Sequence, residues 1–352
     1  MSIISPNRKK GIEKIQAIEP MVAHDGKTWV DSTLNNNKLK VYDGTNWVEQ
    51  EPFWSGTGFD YGYSMGGFYR ELDIDRITFP FDSGMSSHVG NLSESTQHSV
   101  GCNSSNYGYC MGGSYSGSTI DRIEFPFDSG TASHVGNLSE STQDSAGCNS
   151  SNYGYCMGGH GGGYLSTIDR ITFPFDSGTA SHVGNLSGTR DYSAGCNSSN
   201  YGFCMGGYSG GNKVSTVDRI EFPFDSGTAS YVGNLSGTRR DRAGCNSSNY
   251  GYCMGGYSGS ELSTVDRITF PFDSGTTSHV GNLSGTRYRD AGCNSSNYGY
   301  CMGGITASVV ISTIDRITFP FDSGTASHVG NLSGTEEDNA GCDGTDFVIL
   351  FN

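Results

Sequence analysis

Cysteine is the residue whose chemistry and spacing stand out first in this chain. Ten of its eleven cysteines form five pairs eight residues apart, and each pair brackets a short polar turn. The pairs are Cys102 and Cys110, Cys148 and Cys156, Cys196 and Cys204, Cys245 and Cys253, and Cys293 and Cys301. We expect the members to lie opposite each other in a hairpin, where they either form a disulfide or pack as buried thiols. Zinc is disfavoured because such a hairpin offers two ligands and no histidine.

The remaining cysteine and the first copy of the pattern break this pairing. Gly56 and Ser64 occupy both cysteine positions in the first copy. Cys342 is alone because Leu350 occupies its partner position. The joint absence in the first copy suggests that the members of a pair act together.

Histidine and an Asp-Arg dipeptide recur as well. The histidines are His88, His134, His182, His279 and His328, and Tyr231 replaces the histidine in one copy. That replacement favours a polar rim residue over a metal-binding ring. Adjacent strand residues face opposite ways, so Asp121–Arg122 and its equivalents are interpreted as bonding to neighbouring repeats and not as a catalytic pair. We find no phosphate loop and no Ser-His-Asp order, and we predict a protein without catalytic residues, metal or cofactor.

These residues recur because one sequence motif is repeated six times along the chain. Copies of "DRITFPFDSG" begin at Asp75, Asp121, Asp169, Asp218, Asp266 and Asp315, with a period of 46–49 residues. A period in this range is typical of a propeller, a solenoid or a repeat array.

Each repeat predicts four antiparallel strands and no helix. In residues 99–138 these are "SVGCNSS", "YGYCMGG", "STIDRIEFPFD" and "HVGNLS", separated by turns rich in Gly, Ser and Asn. The alternation of Ile123, Phe125 and Phe127 is typical of a half-buried strand, and the proline within "FPF" predicts a bulge or an unpaired edge. The sequence therefore predicts an all-β propeller, with a β-solenoid as the alternative.

Variation among the six copies is confined to two segments. One joins strands two and three, and the other joins strand four to the next blade, whereas the 1–2 and 3–4 turns hardly vary. Loops alternate between the two ends of an up-and-down blade, so both variable segments should share one face. Tyr, Arg, Ser and Gly in these loops are typical of recognition surfaces, although unconstrained drift would also produce variable loops.

The predicted ligand-binding residues are taken from these segments. They are Tyr69, Arg70, Tyr115, His160, Tyr164, Arg190, Tyr192, Tyr208, Lys213, Arg239, Arg240, Arg242, Tyr257, Arg287, Tyr288 and Arg289. The arginines of adjacent blades predict a basic patch that attracts carboxylate or phosphate groups, such as those of lipopolysaccharide. Pairing with Glu336, Glu337 and Asp338 is the alternative for that patch.

The repeat resembles two known groups of proteins. A second strand ending in Gly-Gly, as at Gly112–Gly113, followed by an aromatic third strand resembles the kelch repeat, although the late tryptophan of kelch blades is missing. The "FPF" and "YG…GG" pattern over residues 53–345 also resembles virion proteins of marine tailed phages. This resemblance implies a non-enzymatic tail-fibre protein on the virion, made in the host cytoplasm and binding a host glycan or outer-membrane protein. A decoration or collar protein and a glycan-cleaving enzyme are the alternatives.

The chain ends predict how the ring closes. Residues 35–50 read as strands three and four of a blade, and 339–352 as strands one and two, which together would make a seventh blade. Residues 28–49 also resemble hairpins of phage tail fibres, in which case six blades remain. We expect residues 35–352 to form the propeller and residues 1–34 to attach it to other virion proteins.

Charge limits the remaining partners. The net charge of −15 argues against nucleic acid and anionic membranes. The sequence has no apolar run long enough for membrane insertion and no apolar signal core in residues 1–20, so neither membrane insertion nor export by an ordinary signal is expected. Assembly into a homo-oligomer stays open.

Overall fold

The chain divides into two compact units. The computed structural model describes residues 60–69, 72–114, 117–241 and 243–344 and the backbone of three strands nearer the N-terminus. One unit is Met1–Gly58 with Phe347–Asn352, and the other is Phe59–Asp346. In the first, β1 (Thr28–Asp31), β2 (Lys38–Tyr42) and β3 (Trp47–Gln50) form one antiparallel sheet. The boundary that the sequence predicted between the attachment segment and the propeller, at residues 34 and 35, falls between β1 and β2 and therefore inside the first unit. Nowhere in the described ranges is there a helix long and apolar enough for a membrane crossing.

The second unit is a β-propeller whose described residues form six blades of four antiparallel strands. Blade 1 combines β4 (Tyr61–Met65), β5 (Asp73–Thr78) and β6 (Ser87–Asn91) with the last strand of the chain, β29 (Ala340–Gly344). Blade 2 contains β7 (Val100–Asn103), β8 (Tyr107–Gly113), β9 (Gly117–Glu124) and β10 (Ser133–Asn137). Blade 3 contains β11 (Ala146–Asn149), β12 (Tyr153–His160), β13 (Tyr164–Thr172) and β14 (Ser181–Asn185).

The other three blades repeat this arrangement. Blade 4 contains β15 (Ala194–Asn197), β16 (Tyr201–Ser209), β17 (Asn212–Glu221) and β18 (Ser230–Asn234). Blade 5 contains β19 (Ala243–Asn246), β20 (Tyr250–Met254), β21 (Leu262–Thr269) and β22 (Ser278–Arg287). Blade 6 contains β23 (Ala291–Asn294), β24 (Tyr298–Met302), β27 (Thr313–Thr318) and β28 (Ser327–Asn331), with a small hairpin of β25 (Ile305–Thr306) and β26 (Val309–Val310) after its second strand.

The hydrophobic core lies between blades. Six buried clusters each combine residues of two neighbouring blades, and one of them joins blade 6 to blade 1. Tyr109 shows the pattern: its ring stacks on Phe173 of the next blade with centroids 5.2 Å apart. Its hydroxyl accepts a 3.0 Å hydrogen bond from the backbone N–H of Phe175. A blade therefore cannot bury its second strand without its neighbour, as expected of repeat architectures.

Ring closure corrects the predicted blade count from seven to six. The C-terminal strand β29 pairs directly with β4, from Ala340 opposite Met65 to Gly344 opposite Tyr61. The C-terminal strand does complete a blade, but its partners are β4, β5 and β6, whereas β2 pairs with β1 and β3 in a separate sheet. The sheets show the alternative of six blades, since the described strands within residues 28–50 pair only with one another.

The Asp-Arg dipeptide connects neighbouring blades, as predicted. The Asp121 carboxylate accepts hydrogen bonds of 2.6 Å from the backbone N–H and the hydroxyl of Ser93 in the preceding blade. Arg122 forms an ion pair with Asp176 of the following blade. The Asp75 carboxylate of blade 1 likewise accepts hydrogen bonds from the backbone N–H and the hydroxyl of Ser333, which follows blade 6, so this contact also spans the closure of the ring.

The cysteines correct the hairpin expectation. Strand pairing places Cys102 opposite Tyr109 and Cys110 opposite Gly101, so the two cysteines are one position out of register and project from opposite faces of the sheet. All eleven cysteines are buried free thiols. The Sγ of Cys102 lies against Gly154 of the next blade, where a side chain would leave no room.

Cys342 packs like the other first-strand cysteines, although it has no partner cysteine in the sequence. It lies on the first strand of blade 1, where its Sγ packs against Gly108 of blade 2. The second-strand cysteine position of the same blade is occupied by Ser64, which pairs with Gly341. Blade 1 therefore has the first-strand cysteine, which the last strand of the chain supplies, and lacks only the second-strand cysteine.

The prolines lie just outside the third strands. β9 ends at Glu124, and the Phe125–Pro126 peptide bond that follows it is cis, as are the five equivalent bonds. Of the two predicted alternatives, a bulge or an unpaired edge, the bulge is absent, and Pro126 lies beyond the paired residues of β9. The ladder between β9 and β10 shifts register instead on the β10 side, between His134 and Gly136.

Candidate functional site

The two variable segments share one face of the propeller, as predicted. Among the described residues, five of the six segments after strand four form backbone bridges with the 2–3 loop of the following blade. The bridged pairs are Gln143 and His160, Asp191 and Tyr208, Arg240 and Tyr257, Tyr288 and Ile305, and Phe68 and Glu337. We call this surface, formed by residues 68–73, 94–99 and their equivalents in the other blades, the variable face.

The Gly-Gly pair makes this crossing of segments possible. Gly112 and Gly113 have φ angles of 67° and 112°, which other residues rarely adopt. The Gly113 N–H donates to the carbonyl oxygen of Thr142, while Ser114 N–H donates to that of Gln97. The pair thus lies where two variable segments meet, and a Cβ on Gly113 would overlap Thr96.

Three of the predicted ligand-binding arginines lie beneath this face. Arg190, Arg239 and Arg287 are 2%, 1% and 1% exposed. They form ion pairs with the aspartates of the Asp-Arg dipeptides in the following blades: Arg190 with Asp218, Arg239 with Asp266 at 2.6 Å, and Arg287 with Asp315 at 2.9 Å. The expectation that they form a basic surface patch is therefore wrong, because each guanidinium neutralises a buried carboxylate between blades.

Four of the predicted tyrosines and one histidine form an arc across blades 3 to 6. His160 contacts Tyr164 with ring centroids 5.8 Å apart, and Tyr164 contacts Tyr208 at 5.9 Å. Farther along, Tyr257 and Tyr288 lie 5.4 Å apart. These five half-buried residues are named the aromatic arc.

Cations fill the space between the rings of this arc. The Arg240 guanidinium lies 5.0 Å from the centroid of Tyr208 and 5.8 Å from that of Tyr257. The Lys213 Nζ lies 5.1 Å from the Tyr257 centroid. The arc is thus a surface of aromatic rings held together by cation–π contacts.

The two remaining described arginines of the predicted patch pair with acidic neighbours. Arg240 Nε lies 3.3 Å from Asp241 Oδ2. Arg289 Nη1 lies 3.2 Å from Glu337 Oε2 and 3.3 Å from Asp338 Oδ2. Internal pairing, the alternative considered for this patch, is confirmed for Arg289.

The other predicted ligand-binding residues are either separate from the arc or outside the described ranges. Tyr69 is 70% exposed and contacts the ring of Phe68. Arg70, Tyr115 and Arg242 lie outside the described residues.

A ring of six equivalent residues surrounds the propeller axis at the centre of the variable face. Each is the fifth residue of a six-residue segment after strand four, and the six are His98, Asp144, Tyr192, Asp241, Arg289 and Asp338. All have φ between 52° and 62°. The backbone N–H of each donates to the carbonyl oxygen of the one before it, with N···O distances of 2.7–3.1 Å, so the hydrogen bonds close a circle. We call these residues the mouth ring.

Sequence reasoning identified only Tyr192 and Arg289 of this ring. The signal was nevertheless present, because a fixed position in near-identical repeats carries histidine, aspartate, tyrosine and arginine in different copies. Without knowledge of the six-fold closure, nothing in the sequence shows that these six positions converge on one axis.

Beneath the mouth ring lies an axial cavity of about 140 Å³. Its deeper wall consists of the glycine layer, one glycine from each first strand: Gly101, Gly147, Gly195, Gly244, Gly292 and Gly341. A Cβ on Gly195 would overlap the carbonyl oxygen of Gly147, and each of the others would overlap its neighbour in the same way. Only glycine lets six first strands approach the axis this closely.

Opposite charges are concentrated in the mouth ring. Burial lowers the pKa of His98, but the carboxylates of Asp144 and Asp338, 2.8 and 3.2 Å from its Nδ1, raise it to about 10. Burial is also the main cause that raises the pKa of Asp241 to about 7, with Arg240 opposing and Asp338 adding to the effect. Because several carboxylates share a small buried space, the ring is suited to hold a cationic group.

The recurring histidines on the fourth strands do not take part in this site. His134 and His182 are about half exposed, and each Nδ1 lies 3.9 Å from the Asp of its own blade. The cysteines are unsuited to nucleophilic chemistry, since burial raises the pKa of the Cys110 and Cys156 thiols to about 12. The described site is therefore one of binding groups: an aromatic arc, a charged mouth ring and a small cavity. The sequence matches no protein-family model and has no significant similarity to any curated protein.

Proposed function

We propose that this chain is a non-enzymatic recognition protein of a tailed-phage virion, which binds a host cell-surface glycan or outer-membrane protein through the variable face. The observation that carries the proposal is the segregation of variation. Six nearly identical blades differ almost only in segments that meet on one face, and those segments place the aromatic arc and the mouth ring side by side.

The composition of that face supports binding rather than chemistry. Half-buried tyrosines offer amphipathic area at low entropy cost, and Arg240 and Lys213 between them add charge. Residues in such an arc make several moderate contacts with a flat ligand. A single propeller would then bind weakly, and several copies on one particle would raise the avidity by about 10²–10⁴.

The placement on a virion rests on the resemblance of the repeats and of residues 28–49 to phage proteins. The N-terminal residues 1–34 would attach the propeller to other virion proteins. Of these residues, the structure describes only the strand β1. Localisation of the protein in a map of the particle tests this placement and separates a fibre tip from a decoration or collar position.

Adsorption of the purified chain to host cells tests the recognition role. Tyr257→Ser removes the centre of the aromatic arc and the partner of Arg240 and Lys213. Tyr231→His is the matched control, because Tyr231 is 56% exposed on a fourth strand and histidine occupies that position in the other blades. We expect adsorption to fall at least about tenfold for Tyr257→Ser, a typical loss for a central aromatic contact, and to stay unchanged for the control.

Two outcomes would contradict the proposal. Equal adsorption of a folded Tyr257→Ser variant would remove the arc from recognition and favour the decoration role. Release of sugar from host envelope polysaccharide by the purified chain would overturn the non-enzymatic assignment in favour of a glycan-cleaving enzyme.

A further inference from the structure

The mouth ring contains one imidazole and two carboxylates whose ligating atoms converge. The Nδ1 of His98 lies 2.8 Å from Asp144 Oδ1 and 3.2 Å from Asp338 Oδ1. Ligand atoms of the three residues all lie within 4.8 Å of one another. Two metal–ligand bonds of about 2.1 Å at the right angle of octahedral coordination place their ligand atoms about 3.0 Å apart, which is close to both His98 distances.

The close approaches of His98 are not those of an ordinary hydrogen-bonded histidine. Its Nδ1 is buried, and neither carboxylate oxygen is aligned for a hydrogen bond with it. One buried nitrogen and two carboxylate oxygens within 3.2 Å of it therefore converge on a common point, as the ligands of a bound ion do.

A second observation is independent of these three residues. Asp241, on the other side of the ring, is only 4% exposed and lines the same axial cavity. Neither of its carboxylate oxygens accepts a hydrogen bond, and its Oδ2 lies 3.3 Å from Arg240 Nε. A buried carboxylate of this kind costs free energy unless a cation compensates it.

The two converging carboxylates are held from outside, as metal-ligating carboxylates usually are. Gln143 Nε2 donates to Asp144 Oδ2 at 3.1 Å, which leaves Oδ1 directed at His98. Arg289 Nη1 lies 3.3 Å from Asp338 Oδ2, which leaves the other oxygen of Asp338 directed at His98. Such outer contacts fix the orientation of the inner oxygens.

We propose that the mouth ring binds one divalent transition-metal ion of the Zn²⁺ or Mn²⁺ kind through His98, Asp144 and Asp338, with Asp241 facing it across the axis. The mixed nitrogen and oxygen ligands favour this class over Ca²⁺ and Mg²⁺, which prefer oxygen alone. Binding releases the imidazole proton, and the protonated imidazole is the competing occupant. The site does not depend on the recognition role of the variable face.

Metal titration of the full chain, stripped with chelator, tests this site. We expect one Zn²⁺ or Mn²⁺ per chain, and a loss of affinity of at least about 100-fold in His98→Gln, since removing a direct ligand should cost at least as much as removing its outer partner. Asp144→Asn should weaken binding in the same direction. His182→Gln is the matched control, because His182 is half exposed on a fourth strand, and it should bind as the unaltered chain does.

A spectroscopic measurement keeps the test decisive if His98→Gln fails to fold. Electron paramagnetic resonance of the Mn²⁺-loaded chain should show coupling to an imidazole nitrogen, and this coupling should persist in His182→Gln and disappear in Asp144→Asn as the ion is lost. The proposal is overturned if neither ion binds at millimolar concentration. It is also overturned if the folded variants bind as tightly as the unaltered chain, or if Ca²⁺ binds more tightly than both ions without nitrogen coupling.

Discussion

The mouth ring and the glycine layer are two sets of six equivalent residues, three positions apart in every blade. They differ in how many residue types each position accepts. Every residue of the glycine layer is the same, because a Cβ at any of these positions would overlap the neighbouring backbone. The mouth ring holds four different residue types on one shared backbone hydrogen-bond circle. The comparison shows that the ring closure constrains the backbone of both sets but the side chains of only one.

The largest expected effect comes from adding a methyl group to the glycine layer. Gly195→Ala would push a Cβ into the carbonyl oxygen of Gly147, and we expect it to lower the free energy of unfolding by about 3 kcal/mol. Tyr192→His, in the mouth ring of the same blade, should cost less than about 1 kcal/mol because blade 2 already carries histidine there. Denaturant unfolding of both variants measures the difference.

Gly237→Ala is the control for the glycine change, since nothing lies within 4 Å of a Cβ at that position. If Gly195→Ala unfolds at the same denaturant concentration as Gly237→Ala, the close approach of the first strands is not a constraint and the comparison fails.

A similar contrast separates adjacent arginines of the variable face. Arg239→Met removes the partner of the buried Asp266 carboxylate, and we expect a loss of about 2 kcal/mol, because Asp266 keeps its bonds from Ser236 and Thr277. Arg240→Met should cost less, about 1 kcal/mol, because the Arg240 side chain is 27% exposed and its contact with the Asp241 carboxylate is longer, at 3.3 Å.

The same two variants should reverse their order in the adsorption assay. Arg240→Met should weaken adsorption to host cells, and the folded fraction of Arg239→Met should adsorb normally. Equal stability losses in the two variants would mean that burial does not distinguish these arginines.

Next to the mouth ring, Asp290 predicts a pH dependence of stability. Burial raises the pKa of its carboxyl to about 7, and hydrogen bonding from Cys301 and attraction to Arg287 oppose this. Between about pH 4 and pH 7 the unfolded chain has released this proton while the folded chain retains it, so stability falls over that window and stays lower above it.

Asp290→Asn tests this pH dependence, because Asn339 occupies the equivalent position at the closure. We expect the variant to gain about 1–2 kcal/mol relative to the unaltered chain between pH 4 and pH 8, less than the full pKa shift because asparagine loses the attraction to Arg287. A difference that does not change with pH would show that the carboxyl titrates normally.

The sequence predicted the blade but not the geometry that depends on closing the ring. The alternation within each repeat and the Gly-Gly pair were sufficient to predict four strands and a variable face. The blade count was wrong because the "VYDG…W" segment around Trp47 has strand character of its own, and only pairing shows that β29 completes blade 1. The arginines were misassigned because Arg239 and Arg240 look alike in sequence, whereas the Arg239 side chain is buried against Asp266 and the Arg240 side chain stays 27% exposed beside Asp241.

Hydroxyl-radical footprinting of the intact chain, free and bound to host envelope, tests most directly whether the variable face recognises the host. The account predicts that binding protects Tyr164, Tyr208 and Tyr257 of the aromatic arc, while oxidation of Tyr231 on the outer strand stays the same. Protection of Tyr231 with unchanged oxidation of the arc, in a sample shown to be bound, would contradict it.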